Sequence, residues 1–385
     1  MSGTDISPRK KICYISGTRA DYGLMVSTLK EIAAHPALSL TVLTTGMHLS
    51  PKYGLTVREI EADGFTLCGR VETPVDLQSG VAMARGIGMM LQAFVDILAA
   101  QAPDAVLLLG DRGEMLAGAL AAIHLNIPVV HVHGGERSGT VDEPVRHAIS
   151  KLSHWHCVAT EQSRERLLRM GEAPQQVVVT GAPGLDGLTA LAQRDRAALC
   201  EGVGFDAAGA LALMVFHPVL QEASRAGAQA GAILDALLGA RMQVLALMPN
   251  ADAGGDTVRA TLAAYAERHP EVRVLTHLPR PSFVSWMAAA DVMVGNSSSG
   301  IIEAASFGTP VINVGLRQNL RERNANVSDV TAEPHALAQV VRDVLAHGRY
   351  APANVYGDGY AGKRIVELLA ALRVTPEILL KTNAY

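Results

Sequence analysis

Short apolar runs recur along this chain at intervals that suit alternating strands and helices. KICYISG (11–17), SLTVLTTG (39–46), AVLLLG (105–110), IPVVHVHG (127–134), HCVAT (156–160) and VVVTG (177–181) are near-continuous hydrophobic stretches, most of them closed by glycine. Runs without polar alternation are what strands buried on both faces of a parallel sheet require. A helical pattern over 22–34 separates the first two. Pro and Gly interrupt the series at APGLDG (182–187). A second series then begins: ALALMVFH (210–217), QVLALMPN (243–250), VRVLTHLP (272–279), DVMVGNS (291–297) and PVINVG (310–315). The alternation predicts an α/β fold of two Rossmann-like domains facing each other across a cleft, the first over 1–185 and the second over 186–360. No short-period repeat or low-complexity tract competes with it.

A length of 385 residues suits two domains, each with its own core. The charge balance is near neutral, with a formal net charge of -4 and 18% charged residues, and no Lys/Arg run or basic-aromatic patch occurs. Nucleic acid is therefore not an expected partner. The segment MSGTDISPRK has no apolar core of signal-peptide type, and no apolar run is read as approaching membrane-spanning length, so the protein is expected to be cytoplasmic with no membrane partner. Cys13, Cys68, Cys157 and Cys200 lack CxxC spacing and read as buried reduced thiols. The 13 histidines include the triplets HVH and HWH, which are taken as strand residues, with no metal site expected.

Candidate chemistry concentrates where strands end, which is where open α/β sheets collect ligands. GDRGEM (110–115) and HVHGGERSGTVDEPVRH (131–147) bring Asp111, Glu136, Asp142 and Glu143 together with Arg112 and Arg146. Carboxylates beside arginines suit proton transfer on an anionic substrate. GNSSSGIIEAASFG (295–308) passes from a strand through Ser297, Ser298, Ser299 and Gly300 into a helix start, whose unpaired N–H groups favour a phosphate. An N-cap with nothing bound accounts for the same pattern. Glu303, one turn on, could meet a ribose hydroxyl, and a solvated surface glutamate is the alternative. No Walker A or GxGxxG motif occurs. In GTRADYG (17–23), Arg19 could fork onto a diphosphate or carboxylate, while Asp21 is expected to cap the next helix. His217 ends a strand before a proline, so its imidazole is expected at the strand's mouth. The helix over 81–100 has more apolar positions than one buried face needs. It reads as an interface helix or as one buried on both sides.

GTRADYG, TTGMHLSPKYG (44–54), GDRGEM, HVHGGERSGTVDEPVRHAISK (131–151), FHPV (216–219), PNADAGG (249–255), GNSSSGIIEAASFGTPVINVGLRQ (295–318) and YGDG (356–359) together resemble the hydrolysing UDP-N-acetylglucosamine 2-epimerases of sialic and legionaminic acid synthesis. The resemblance runs in order from about residue 11 to 370. It implies a GT-B-like fold, with UDP mainly on the C-terminal domain and a final segment, 361–385, returning to the first domain through KRIVELLAAL (363–372). It also implies a homodimer and a reaction without cofactor. A base removes the sugar C2 proton while UDP leaves C1; water then adds to the 2-acetamidoglucal and C2 is reprotonated on the opposite face.

Carried over by position, Asp111, Asp142 and Glu143 match acidic positions of the proton transfers, and His217 matches the family's active-site histidine. Arg19, Ser298, Ser299 and Glu303 match nucleotide contacts; His48, Arg112, Asn250, Asp252 and Arg317 match positions near substrate. Glu136 and Arg146 share the acidic turn, and a helix-capping or inter-strand ion pair explains either equally well. The C2 base is expected to be Asp111 or Asp142, since crowded carboxylates push each other's pKa values apart. Several family members carry Glu where this chain has His133. The resemblance implies UDP-N-acetylglucosamine as substrate, giving N-acetylmannosamine and UDP. Histidine also serves as acid or base, and the His133 substitution keeps open, as the alternative, the same reaction on UDP- or GDP-2,4-diacetamido-2,4,6-trideoxyglucose. A non-hydrolysing epimerase, a GT-B glycosyltransferase and a non-catalytic nucleotide-sugar sensor share many of these features.

Overall fold

The computed structural model describes residues 9–74, 79–139, 142–250 and 252–385, within which the apolar runs form two wholly parallel sheets. The N-terminal 1–8, Thr140 and Val141 of the acidic motif, and Ala251 of PNADAGG lie outside the described residues. The first sheet contains β1 (Lys10–Ser16), β2 (Leu38–Thr45), β3 (Leu67–Val71), β4 (Ala105–Leu109), β5 (Val129–Val132), β6 (Trp155–Val158) and β7 (Val177–Val179). Its spatial order is β3-β2-β1-β4-β5-β6-β7. The second contains β8 (Leu211–Val215), β9 (Gln243–Leu247), β10 (Val272–Leu275), β11 (Val292–Gly295), β12 (Val311–Val314) and β13 (Val327–Val330), in the order β10-β9-β8-β11-β12-β13. Strand order reverses between β1 and β4 in one sheet and between β8 and β11 in the other. Connections diverge at such a point and open a crevice at the strands' carboxyl ends.

Alternation along buried strands supplies both faces of each sheet. In the first sheet, Ile12, Tyr14, Val42 and Leu107 pack against Met25, Leu29 and Ile32 of the helix Arg19–Ala34. Cys13, Ile15, Leu43, Val106 and Leu108 pack on the other face, against Met90, Phe94 and Leu98 of the helix Gly80–Gln101. The helix Ala361–Ala371 sends Ile365, Val366 and Leu369 into the first of these layers, and Lys10 Nζ reaches the carbonyls of Ala370 and Leu372 at 2.5 Å each. That arrangement satisfies the helix's last carbonyls with a cation.

Several expectations are corrected. The first helix begins at Arg19, because Thr18 is its N-cap and Asp21 is the third helical residue of a capping box, not the cap. The edge strands β3 and β13 had no apolar run to announce them; Val71 is the only buried residue of β3, and β13 has none. The helix Gly80–Gln101 has 22 residues and is long and apolar enough to cross a membrane by composition. It instead buries a stripe of Ala82, Gly86, Met90, Phe94 and Leu98, of which Met90, Phe94 and Leu98 pack into the sheet's core. It is not buried on both sides: Val81 is 62% and Met89 48% exposed. Cys68 is only half-buried, and its Sγ lies 3.8 Å from that of Cys13.

The histidine triplets also need a different account. Residues i and i+2 of a strand share a face, so strand geometry alone would let HVH close on one ion. A turn separates them here. His131 bonds Ser150 Oγ and the Gly110 carbonyl, at 3.1 and 2.7 Å, whereas His133 lies beyond the strand with φ +66 and bonds Glu136.

Candidate active site

Each strand flanking the two reversal points ends in a turn that carries polar side chains into one cavity of about 620 Å3 between the sheets. That size lies within the usual range for small-molecule sites. After β1, Arg19 opens the helix and reaches the other sheet's loop, where its guanidinium donates to the Thr276 carbonyl at 3.0 Å and lies 2.7 Å from His277 Nδ1. After β4 come Asp111 and Arg112, and after β5 comes His133. Asp142 starts the helix Asp142–Leu152, where a negative side chain is favoured by the N-terminal dipole. All five line the cavity, as does Arg146.

The opposite wall comes from the second sheet. His217, Asn250, Ser297, Ser298, Ser299, Glu303 and Arg317 all face the same space. Gly295 turns the chain out of β11 at φ +136, where a Cβ would sit 2.1 Å from the Val215 carbonyl oxygen, so only glycine fits. Ser297 then caps the helix Ser298–Ile302 by accepting from Ser299 N at 3.3 Å. The helix is five residues long. Serine hydroxyls and first-turn N–H groups therefore supply its polarity more than an extended dipole does. Glu303 is fully buried and paired with Arg280, whose Nη1 is 3.1 Å from Oε2.

Charge is distributed unevenly among the carboxylates. Burial pushes Asp111 up, but Arg146 and Arg321 outweigh it and hold the carboxyl below its ordinary value. Arg146, only 1% exposed, pairs directly with Asp111, and Arg321 stands 3.9 Å away. Asp142 moves the other way, pushed up by burial and by the neighbouring Asp111 charge. Crowding has thus separated two acids on one wall. Burial also lowers His217 to about 3, so its ring is neutral. The Asn250 N–H donates to His217 Nδ1 at 3.2 Å. The ring proton consequently sits on Nε2, and His217 acts as a hydrogen-bond donor.

Not every expected residue reaches the cavity. Among the described residues, His48, Glu136, Glu143, Asp252 and Gly300 stand behind its wall. Glu143 accepts from Ser138 N at 2.6 Å and ties down the acidic loop. His48, lowered to about 4 by burial, bridges Ser16 Oγ and Thr56 Oγ1 at 2.9 and 2.8 Å. Asp252 accepts from Asn250 Nδ2 at 2.7 Å and faces Arg112 at 3.3 Å. Glu136 bonds His133 Nδ1 and Arg321. Tyr53, Arg259, His277, Arg280 and Arg321 also line the cavity, although no candidate chemistry in the sequence points to them. Arg280 and Arg321 follow β10 and β12, and three arginines spaced through GLRQNLRER (315–323), just past β12, are the sequence signal for the latter.

Comparison with known proteins gives a consistent answer. The family profile described as UDP-N-acetylglucosamine 2-epimerase matches residues 30–370. A Legionella pneumophila protein, the UDP-N,N'-diacetylbacillosamine 2-epimerase (hydrolyzing), is 49% identical over 98% of this chain and 100% of its own length. A Neisseria meningitidis UDP-N-acetylglucosamine 2-epimerase is 32% identical, covering 91% of each chain. Among solved structures, the Neisseria meningitidis UDP-GlcNAc 2-epimerase bound to UDP-GlcNAc superposes with a TM-score of 0.78 at 21% identity, over 93% of this chain and 99% of that one, which supports the two-sheet fold. With motifs, fold and profile agreeing over most of its length, the chain belongs to the UDP-N-acetylglucosamine 2-epimerase family.

Proposed function

We propose that this 2-epimerase works by hydrolysis, converting a UDP-activated 2-acetamido sugar and water into UDP and the free C2-inverted sugar. The observation that carries the reading is the pairing of Asp111 and Asp142 on one cavity wall, with burial and arginines driving their pKa values apart. A C2–H bond is weakly acidic, so its removal needs a positioned base together with stabilisation of the departing diphosphate. Asp142, the more basic carboxylate, takes the proton from C2. Asp111, held ionised between Arg146 and Arg321 until then, receives the proton of the water that adds to C1.

The UDP leaving from C1 lies against the opposite wall. Ser298, Ser299 and the N–H groups of their turn meet the diphosphate with Arg19, Arg317 and the His217 Nε2–H, and Glu303 accepts from the ribose. The first domain (1–185) supplies the proton chemistry, the second (186–360) holds the nucleotide, and 361–385 returns to the first. We assign UDP-2,4-diacetamido-2,4,6-trideoxyglucose as the sugar nucleotide, because the Legionella relative that carries this activity in its name is 49% identical end to end. UDP-N-acetylglucosamine is the second reading, favoured by the family's description and the Neisseria relative. The outward apolar face of Gly80–Gln101, with Val81 and Met89, suits a homodimer.

Both sugar nucleotides offered in parallel in D2O, with no acceptor, test the proposal by mass spectrometry of the products. UDP plus free sugar deuterated at C2 is the expected result, at higher kcat/KM for the diacetamido substrate. Release of an intact epimerised UDP-sugar would instead identify a non-hydrolysing enzyme, and product only with an acceptor a glycosyltransferase. Tight binding without turnover would identify a sensor.

A further inference from the structure

Inversion at C2 needs a proton taken from one face and another given to the opposite face, and a single carboxylate cannot stand on both. The second group must reach the cavity from a different turn. His133 does so. It is the first residue past β5, held at φ +66, a conformation costly for a side chain with a Cβ. Its N–H donates to the Cys157 carbonyl at 3.0 Å, and Gly135, at φ +75, packs so closely that a Cβ would lie 2.2 Å from the Ser163 carbonyl oxygen. The surrounding backbone therefore fixes the strained turn. Strain retained at a cavity wall is a pointer to use.

The ring's orientation is equally constrained. Nδ1 of His133 is bonded to Glu136 Oε1, so this nitrogen carries the proton and Nε2 is the atom through which the ring can exchange one with the cavity. Glu136 is itself clamped: Arg321 pairs with its other oxygen, and Arg146 Nη1 donates to its main-chain carbonyl at 3.0 Å. Burial would raise the Glu136 carboxyl, but Arg321 and His133 outweigh it and bring it to about 2. Asp111, Asp142, Arg112, Arg146, Arg317 and Arg321 are the charged groups around this wall. Arg321 belongs to the segment after β12, so the clamp on a first-sheet glutamate is made from the second sheet's side of the cleft.

We infer that His133 and Glu136 form an acid–base dyad for the second half-reaction, with His133 the catalytic donor to C2 and Glu136 and Arg321 positioning residues acting through it. This rests on the hydrolysing reading above. In the first step the C2 proton passes to Asp142 and the C1–O bond breaks with its electron pair leaving on UDP. In the second, His133 Nε2–H protonates C2 of the 2-acetamidoglucal, water oxygen bonds C1, and the water proton goes to Asp111. Solvent then reprotonates His133 and deprotonates both carboxyls. The dyad orients the ring, with Glu136 holding Nδ1–H, as carboxylates do for catalytic histidines elsewhere.

The test separates the two half-reactions. Glu136→Gln should lower kcat for free sugar 10- to 100-fold with KM within about twofold, while UDP release persists and 2-acetamidoglucal, one water lighter than the sugar, accumulates. His133→Asn should do the same more severely, Arg321→Met should follow Glu136→Gln, and Glu136→Asp should recover part of the lost rate. Asp142→Asn should abolish UDP release itself. Wild-type kcat without glucal in Glu136→Gln, alongside an inactive Asp142→Asn, overturns the dyad and leaves the hydrolysing reading intact. An active Asp142→Asn overturns the reading beneath it. If Glu136→Gln does not fold, Arg321→Met carries the decision on the same readout.

Discussion

A buried charge at a distance from the cavity shows how much single residues contribute here. Glu172 is 1% exposed and receives Lys151 Nζ at 2.7 Å, Lys381 Nζ at 2.6 Å and His156 Nε2 at 2.9 Å. Burial raises its carboxyl, but bonds from His156, Lys151 and Lys381 win and bring it to about 2. A folded value below the unfolded one means the contribution is complete above the unfolded carboxylate pKa and is lost as pH falls from about 4.5 toward 2. Glu172→Gln should cost about 3 kcal/mol by urea unfolding at pH 7, since it strands the largely buried Lys381 ammonium and removes the partner of Lys151. The penalty should shrink as the comparison is repeated at lower pH. Nothing local announces Glu172, whose partners come from three separate segments. Asp111, Asp142, His217 and the serines were legible because each directly follows a recognisable strand or opens the helix after one. Glu136 and Glu143 read the same way in the sequence yet stand behind the wall, because side-chain direction depends on turns that no periodicity encodes.

At the scale of the element, the turns after the strands shape the site more than the strands do. The passage from β11 into Ser298–Ile302 depends on Gly295, whose conformation and contact with the Val215 carbonyl both exclude a Cβ. Gly295→Ala should lower unfolding free energy by about 2–4 kcal/mol. It should also weaken UDP binding at least tenfold by calorimetry, because the displaced turn carries Ser298 and Ser299. A stability loss with unchanged UDP affinity would count against placing the diphosphate there. The elements themselves were legible where apolar side chains recur, including the partly exposed edge strands β7 and β10 (VVV and VRVL). β3 and β13, also edges, are not, because LCGRV and VSDV carry no apolar run.

For the whole molecule, acid response follows from histidines stored neutral. Burial lowers His48 and His154 to about 4, and His131 and His217 to about 3. Unfolding lets each take up a proton below its unfolded value near 6.5, so the stability these groups contribute is complete above about 6.5 and declines as pH falls toward 3–4. The melting temperature should therefore drop steadily between pH 7 and pH 4.5, and His131→Asn should flatten part of that slope; an unchanged slope in the variant would show that other groups set it. The sequence alone determined the fold class, the order of the main strands and the residue types at their ends, because buried parallel strands impose long apolar runs and ligands collect where those runs stop. Only the tertiary structure decided which acids face the cavity, which arginines set the charge of Asp111 and Glu136, and that Glu136 holds Nδ1 of His133. Those outcomes depend on contacts between segments remote in sequence. Coulomb energies vary steeply with separation and burial, and no local pattern carries that information.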